Sequence, residues 1–521
     1  MTADIIWLII LALSVFACIL SGVPVLLAIA GAPTIVALVA AATGHFDLVF
    51  FQAVPQRVYG VMTNPLLLAV PLFVLMGLLL EKSRQAERML QSLTAAMGGQ
   101  QSALALSVVL VSALIAASTG IIGATIVMLG TITLPALLAA GVNKHMSSGL
   151  ICASGTLGQI IPPSIVLILL GDQVSNAYFE AQQEAGNFAP DPVTVGDLFA
   201  GALIPGLLLV ALYAAYVLLR LRRASPKGQE AKTPTPKPRV SGRELFRDIA
   251  PTLGLIIAVL GSILIGIATP TEAASVGVAG AVLIAAAGSD GKVARVAMAC
   301  AAFAILLLIL RRLGLFGLEF EGGRISWTTL TIVSVVMTAA ALVMLAIAAA
   351  SLIRGGVLVP ALRETVTITG MIFGIVIAAS ILSLVFRGFN GDEHVAELLH
   401  ALPGGAYGML LLTMLVIFLL GFILEFVEII FIVVPIVGPI ILQSDISPVW
   451  FAVLIALNLQ TSFLTPPFGF ALFYFRSVAP ADIRTSDIYV SVIPFVAIQL
   501  LALGLVAAFP ALATLLPDVL F

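Results

Sequence analysis

Apolar stretches of about 20 residues, the length a helix needs to cross hydrocarbon, recur along this chain from Ile5 to Leu512. Inside a bilayer a backbone N–H or C=O has no water to bond, so such a chain can span only as helices or as a closed barrel. The stretches are continuous and rich in Leu, Ala, Ile and Val, without the short alternating segments of barrel strands, which leaves helices. With 61% hydrophobic and 10% charged residues and a mean hydropathy of +1.19, the chain reads as a polytopic membrane protein throughout. Its start carries Asp4 and no basic flank, so the first apolar run is expected to be a retained span rather than a cleaved signal.

Cys18, Cys152 and Cys300 are widely separated in apolar surroundings, which supports neither a disulfide framework nor a metal knuckle. His45, His145, His394 and His400 are scattered and form no HExxH pair, so neither a transition-metal site nor a cofactor is expected. The net charge of −2 says little, because the distribution of Lys and Arg sets orientation. Nine basic residues fall between Arg220 and Arg247 in a Pro-, Lys- and Thr-rich run, expected to be a flexible cytoplasmic linker. The preceding Gly171–Asp197 has five acidic and no basic residues, as an external loop would. Counting spans back from the linker puts the turn after Leu80 inside and the N-terminus outside; the C-terminus is expected outside as well.

Two segments share an order. Gln101–Leu138 is too long for one crossing, has Ala116-Ala117-Ser118-Thr119-Gly120 near its centre, and is expected to form a re-entrant hairpin. A span carrying Ser154-Gly155-Thr156-Leu157-Gly158-Gln159-Ile160-Ile161-Pro162-Pro163 follows it. Tyr407–Leu442 is likewise interrupted at Gly421–Glu428, and is followed by Asn458-Leu459-Gln460-Thr461-Ser462-Phe463-Leu464-Thr465-Pro466-Pro467. Aligning the prolines puts Ser154 on Asn458 and Gly158 on Ser462. Two such units, approached through an odd number of spans, would be inverted relative to each other.

A Pro-Pro step cannot continue a helix, so both spans must unwind. Unwound backbone at this depth survives only inside protein or along a wet cavity. Freed carbonyls with Asn458, Thr461, Ser462 and Thr465 suit a hard cation such as Na+, and helix N-termini at the same break suit an anion. A proline kink with hydroxyls bonded to preceding carbonyls would explain one break without a ligand; two matching breaks behind interrupted hairpins argue for ligands. Glu425 and Glu428 are either pathway-facing carboxylates or hairpin-tip caps, and Glu272 after Thr269-Pro270 fits a cap.

Gly266–Gly277 (GIATPTEAASVG), Gly158–Ser164 (GQIIPPS), Ala202–Gly206 (ALIPG) and Leu464–Phe473 (LTPPFGFALF) resemble signatures of the large membrane (DctM-like, M) subunit of TRAP transporters. The variant around Gly421–Pro435 and Asn458–Pro480 is similar to the branch labelled for mannitol, chloroaromatic compounds or α-keto acids. The resemblance implies an all-α elevator transporter with inverted repeats, two re-entrant hairpins and two broken helices, in the bacterial inner membrane. It also implies Na+-coupled uptake of an organic acid from a periplasmic binding protein, and a small four-helix subunit as partner in the lipid bilayer. No nucleic-acid partner is implied. Carried over by position, one Na+ site would use Ser118, Thr119 and Gly120 with Ser154, Gly155, Thr156 and Gly158. The other would use Gly421 and Glu425 with Asn458, Thr461, Ser462 and Thr465. Substrate would lie between the tips, within reach of Thr119, Ser154, Gln159, Asn458 and Gln460. The first tip reads Ala117–Thr125 where the family commonly has GISGSAVAD, which weakens side-chain ligation there and leaves backbone ligation open.

The expected organisation is N-terminal scaffold helices over 1–97, the first hairpin and broken helix over 98–172, and an external loop and scaffold helix over 173–223. The basic linker over 224–247, scaffold helices over 248–287, an inserted helix pair over 288–350 and a connecting arm helix over 351–403 follow. The second hairpin and broken helix over 404–476 and a C-terminal helix over 477–521 complete it. Competing functions are an ion-coupled anion transporter without a binding protein, a channel or scaffold, and, remotely, an intramembrane hydrolase built on Glu425 and Glu428. No nucleophile elbow or HExxH supports the last, so no enzyme activity is expected.

Overall fold

The computed structural model describes residues 3–97, 101–120, 122–224, 242–287, 319–321, 324–326 and 329–521. The first half runs through α1 (Ala3–Leu20), α2 (Val25–Ala42), α3 (Val54–Thr63), α4 (Ala69–Lys82), α5 (Gln85–Ala96), α6 (Gln101–Thr119), α7 (Ile122–Ala139), α8 (Lys144–Thr156), α9 (Ile165–Glu184) and α10 (Val195–Ala224). Helices α11 (Gly242–Leu264) and α12 (Pro270–Ala287) link it to the second half. That half contains α13 (Thr329–Arg354), α14 (Leu358–Gly388), α15 (Gly391–His400), α16 (Gly405–Leu420), α17 (Phe426–Ile441), α18 (Pro448–Leu464), α19 (Phe470–Val478), α20 (Thr485–Ala508) and α21 (Ala511–Leu520).

The protein is an all-α polytopic membrane protein: among the described residues nine helices are long and apolar enough to cross a bilayer. A small exception to helix lies in the expected insertion, where β1 (Glu319–Glu321) pairs antiparallel with β2 (Arg324–Ser326). Of the two inserted apolar segments, Val296–Leu310 falls outside the described residues, as does most of the basic linker; α13 covers most of the other.

The two halves repeat one plan. Each has a helix, then a short amphipathic helix entered through a left-handed residue, then a hairpin, a broken helix and a long closing helix. The left-handed residues, Arg84 (φ 57°) between α4 and α5 and Asn390 (φ 53°) between α14 and α15, are the two non-glycine residues with positive φ among those described. Left-handed backbone costs an L-residue about 1 kcal/mol, so its occurrence at the same step of both halves marks a shared turn in the design. The hairpins are α6/α7 and α16/α17, and the broken helices are α8/α9 and α18/α19. Hairpin and broken helix pack in matching ways: α6 on α8 as α16 on α18, and α7 on α19 as α17 on α9. The second arm of each hairpin thus leans on the distal half of the other repeat's broken helix.

One acidic stretch departs from expectation. Gly171–Glu184 is helical rather than part of an external loop, because α9 continues to Glu184 and packs along α17. Asp172 is buried there, accepting from Asn64 Nδ2 at 2.7 Å and from Gln173 Nε2 at 2.8 Å. A carboxylate with both oxygens satisfied can stay in a packed helix wall, which counting charges does not detect. Further along α9, Glu180 accepts from Arg387 of α14 at 3.1 Å, and Arg387 also pairs with Asp392 at 3.1 Å. The Glu272 expectation holds: Thr269 N donates to Glu272 Oε2 at 2.9 Å and Glu272 N to Thr269 Oγ1 at 3.3 Å, a reciprocal cap with Pro270 as the first helical residue.

Among the described glycines, Gly149 of α8 makes the closest approach to the other repeat. A Cβ there would fall 2.1 Å from the Ser491 carbonyl oxygen of α20 and 2.9 Å from the Phe495 ring. Neither backbone nor ring can yield cheaply, so Gly149→Ala should lower stability by about 1–3 kcal/mol. The measurement is Tm of the purified protein in detergent; an unchanged Tm would mean that the two helices do not meet there.

Candidate functional site

The site is built from two unwound segments. In the first, α8 ends at Thr156, one 3-10 turn covers Leu157–Gln159, and regular helix resumes only at Ile165. In the second, α18 ends at Leu464 and α19 begins at Phe470. Pro162-Pro163 and Pro466-Pro467 occupy these gaps, and both bonds are cis. Each proline lacks an N–H and its ring blocks the preceding helical turn, which is why the sequence breaks the helix at these points. The approaching halves are well started: Asn143 caps α8 by accepting from His145 N at 2.9 Å, and Ser447 caps α18 with Pro448 behind it. The departing halves are not side-chain capped. Ser164 before α9 instead donates to the Gln159 carbonyl at 2.9 Å, and Gly469 before α19 has no side chain. The leading N–H groups of α9 and α19 therefore keep their positive end free of a side-chain partner.

The hairpin tips come down beside these breaks. Gly120 at the first tip has φ +60°, a backbone state that favours glycine, and a Cβ on it would sit 3.2 Å from the Ile165 backbone N at the start of α9. Gly421 at the second tip rests on α18, where a Cβ would lie 2.1 Å from Ser462 Oγ. Gly155 admits α7 in the same way, its Cβ position lying 2.2 Å from Ile126. Glycine at these points lets the tips approach closely.

The residues singled out in the sequence divide by their surroundings. Ser154, Gly155, Thr156, Gly158, Gln159, Gln460, Thr461 and Ser462 are buried, Asn458 is 2% exposed, and Thr465 is half-buried. Ser118 and Thr119 form the last turn of α6, and their side chains lie outside the described residues. Thr461 Oγ1 donates to the Leu457 carbonyl at 2.7 Å, Ser462 Oγ to Leu459 at 2.8 Å and Thr465 Oγ1 to Thr461 at 2.7 Å. Each hydroxyl thereby uses its only proton and presents lone pairs outward, as an acceptor toward a cation. That back-bonding occurs in kinked helices without ligands. The polar atoms left over distinguish this site: Ser154 Oγ, both amide atoms of Gln159 and Gln460 Oε1 are buried with no protein partner. Buried polar atoms are nearly always satisfied, so a group of them marks a place for a ligand or water.

Asn458 Nδ2 donates to the Met414 carbonyl of α16 at 2.6 Å, tying the broken helix to the hairpin. The Thr156 hydroxyl is fully engaged, donating to Ala153 O at 2.9 Å and accepting from Gln460 Nε2 and Gln499 Nε2, both at 3.3 Å. Glu425 occupies the N-cap position of α17 without a side-chain capping bond. Glu428, three residues on, is buried, turns back toward the Glu425 backbone N–H and leaves Oε2 without a partner. It therefore resembles the acidic half of a capping box.

Two participants are absent from the sequence argument. Gln499 is the one amide of α20 and its one polar side chain after Ser491, and that isolation is a signal that could have singled it out. Tyr489 donates its hydroxyl to the Pro467 carbonyl at 2.9 Å, satisfying one acceptor freed by the second break; nothing in its local sequence points to that role.

Fold and site together define a polytopic membrane protein with two discontinuous helices, each beside a glycine hairpin tip. The chain matches the family described as "Tripartite ATP-independent periplasmic transporter, DctM component" over residues 12–309 and 287–512. It is similar to the C4-dicarboxylate TRAP transporter large permease protein DctM of Vibrio cholerae, at 27% identity over 87% of this chain and 86% of that protein. It is also similar to the isethionate TRAP transporter permease protein DctMQ of Oleidesulfovibrio alaskensis, at 25% identity over 86% of this chain but 57% of that longer protein. Among solved structures, the YdaH transporter of Alcanivorax borkumensis shares the fold, with a TM-score of 0.51 and 13% identity over 88% of each chain. The chain belongs to the DctM family of TRAP transporter large permeases, multi-pass proteins of the bacterial inner membrane.

The Asn458–Met414 bond carries a prediction at this level. Asn458→Leu removes the donor and leaves a carbonyl buried between α16 and α18, which should cost about 1–3 kcal/mol. Thermal unfolding of the purified protein reads the loss, and an unaltered Tm would show that the hairpin is not held through this bond.

Proposed function

We propose that this chain is the large permease of a Na+-coupled importer that receives an organic acid from a periplasmic binding protein and carries it inward. The observation that carries this reading is the pair of matched breaks. At each, helix ends with free acceptors or donors meet a glycine hairpin tip in a buried, oxygen-rich setting. One Na+ would be held by the Ser118–Gly120 tip with Ser154, Gly155 and Gly158, and another by Gly421, Glu425, Asn458, Thr461, Ser462 and Thr465. The acid would lie between the tips, near Thr119, Ser154, Gln159, Asn458 and Gln460, with the free N-terminal ends of α9 and α19 favouring its negative charge. Relatives named for C4-dicarboxylate and isethionate support an anionic substrate. The greater length of the DctMQ relative supports a second membrane subunit, here a separate four-helix chain.

Transport would proceed as an elevator, the hairpins and broken helices moving against a scaffold that includes α2, α4, α12 and α14, with both chain termini periplasmic. Each Na+ entering through about 100 mV contributes roughly 2.3 kcal/mol, so two could drive steep accumulation of an acid. The test is uptake into proteoliposomes holding this chain and its small subunit, supplied with the binding protein and the radiolabelled acid it retains. Uptake should require Na+ and quicken under an imposed inside-negative potential; equal uptake with choline in place of Na+ would reject the coupling. Thr461→Ala and Asn458→Ala should each raise the half-saturating Na+ concentration about tenfold, the equivalent of one lost polar contact to a charged group. Wild-type Na+ dependence in both would remove them from the ligand set.

A further inference from the structure

Gln460 Nε2 donates to Thr156 Oγ1 at 3.3 Å across 304 residues of sequence. That separation equals the offset between the two Pro-Pro steps, Pro162 to Pro466, so Thr156 and Gln460 occupy the same position of their respective repeats. In an object with two-fold symmetry, a point that touches its own mate must lie on the axis. The packing on either side agrees: α9 runs against α18 as α19 runs against α8, and α10 meets α18 as α20 meets α8. The closing helices also converge here. Gln499 of α20 donates to the same Thr156 oxygen at 3.3 Å, and the buried Tyr213 hydroxyl of α10 lies beside both groups.

The Thr156 hydroxyl is saturated by these contacts, with its proton on Ala153 O and two amide donors on its lone pairs. It has no capacity left to ligate an ion. Its neighbours are Ser154 and Gly155 on α8 and Gly158 in the turn that follows, while Gln460 on α18 sits between Asn458 and the Thr461-Ser462 pair. The bond therefore joins the two halves of the candidate site. We propose that Thr156, Gln460 and Gln499 form a positioning node on the internal two-fold axis that couples the two cation clusters, so that filling one orients the other. The proposal rests on the Na+ reading given above. A cation drawing α18 into place fixes the Gln460 side chain and, through Thr156, the end of α8. The second cation then meets a site whose ordering is already complete, which is positive cooperativity by shared preorganisation.

A node that merely braces the fold would change stability without changing how the two sites speak to each other, and the test separates these. Equilibrium binding of 22Na+ to the purified full chain in nanodiscs is measured by scintillation proximity, with choline as the replacement cation. The wild type should bind with a Hill coefficient clearly above one. Thr156→Val and Gln499→Leu should bring it to about one and raise half-saturation about fivefold, the lower end of ordinary coupling. Thr156→Ser, which keeps the hydroxyl, should retain the wild-type steepness. Gln499→Asn keeps the amide but falls short of Thr156, so it should lose steepness even if the apolar variants fail to fold. A Hill coefficient unchanged in folded Gln499→Asn, or equal losses in Thr156→Ser and Thr156→Val, would overturn the node while leaving Na+ coupling intact. Absence of 22Na+ binding in the wild type would overturn both.

Discussion

Backbone polarity in a medium without water is the constraint on which this structure depends. A helix satisfies that demand within itself, and most of the chain is therefore helix. The two Pro-Pro steps suspend the solution in the middle of otherwise apolar spans, where each freed group costs several kcal/mol unless something answers it. Around the breaks the protein has assembled answers: a hairpin tip over each, hydroxyls folded back onto preceding carbonyls, and Tyr489 on Pro467. Atoms on Ser154, Gln159 and Gln460 remain buried without a protein partner.

The exchange of partners between repeats makes these two places one site. Because α7 leans on α19 and α17 on α9, each hairpin is supported by the other half's broken helix. The glycines follow from that intimacy. Gly149, Gly155 and Gly421 each stand where a single methyl group would collide with a neighbouring element, and their requirement is spatial rather than conformational.

Much of this was legible in the chain. Segment length marked Gln101–Leu138 and Tyr407–Leu442 as helix pairs, and proline chemistry marked the segments where both following helices break. The capping of α12 by Glu272 followed from local spacing alone. Other features depend on partners far away in sequence. Burial of Asp172 inside α9 required knowing that Asn64 lies opposite, so its charge read as loop. Asn458 was singled out for its oxygen, and that its Nδ2 also ties α18 to a hairpin carbonyl depends on how α16 packs. The left-handed turn at Arg84 gave no signal either, because arginine is not a residue that such a backbone favours, whereas Asn390 belongs to a type that adopts it more readily. Gln499 was visible as a lone amide but meaningless until α20 was seen to cross α8.

The far half of the first broken helix is moored twice to elements outside the hairpins, through Asp172 to Asn64 and through Glu180 to Arg387. These moorings lie two helical turns apart along a single rod, so they resist rotation as well as sliding. Asn64 follows α3 and Arg387 lies at the end of α14, so α9 is tied at two heights to two elements that belong to neither hairpin.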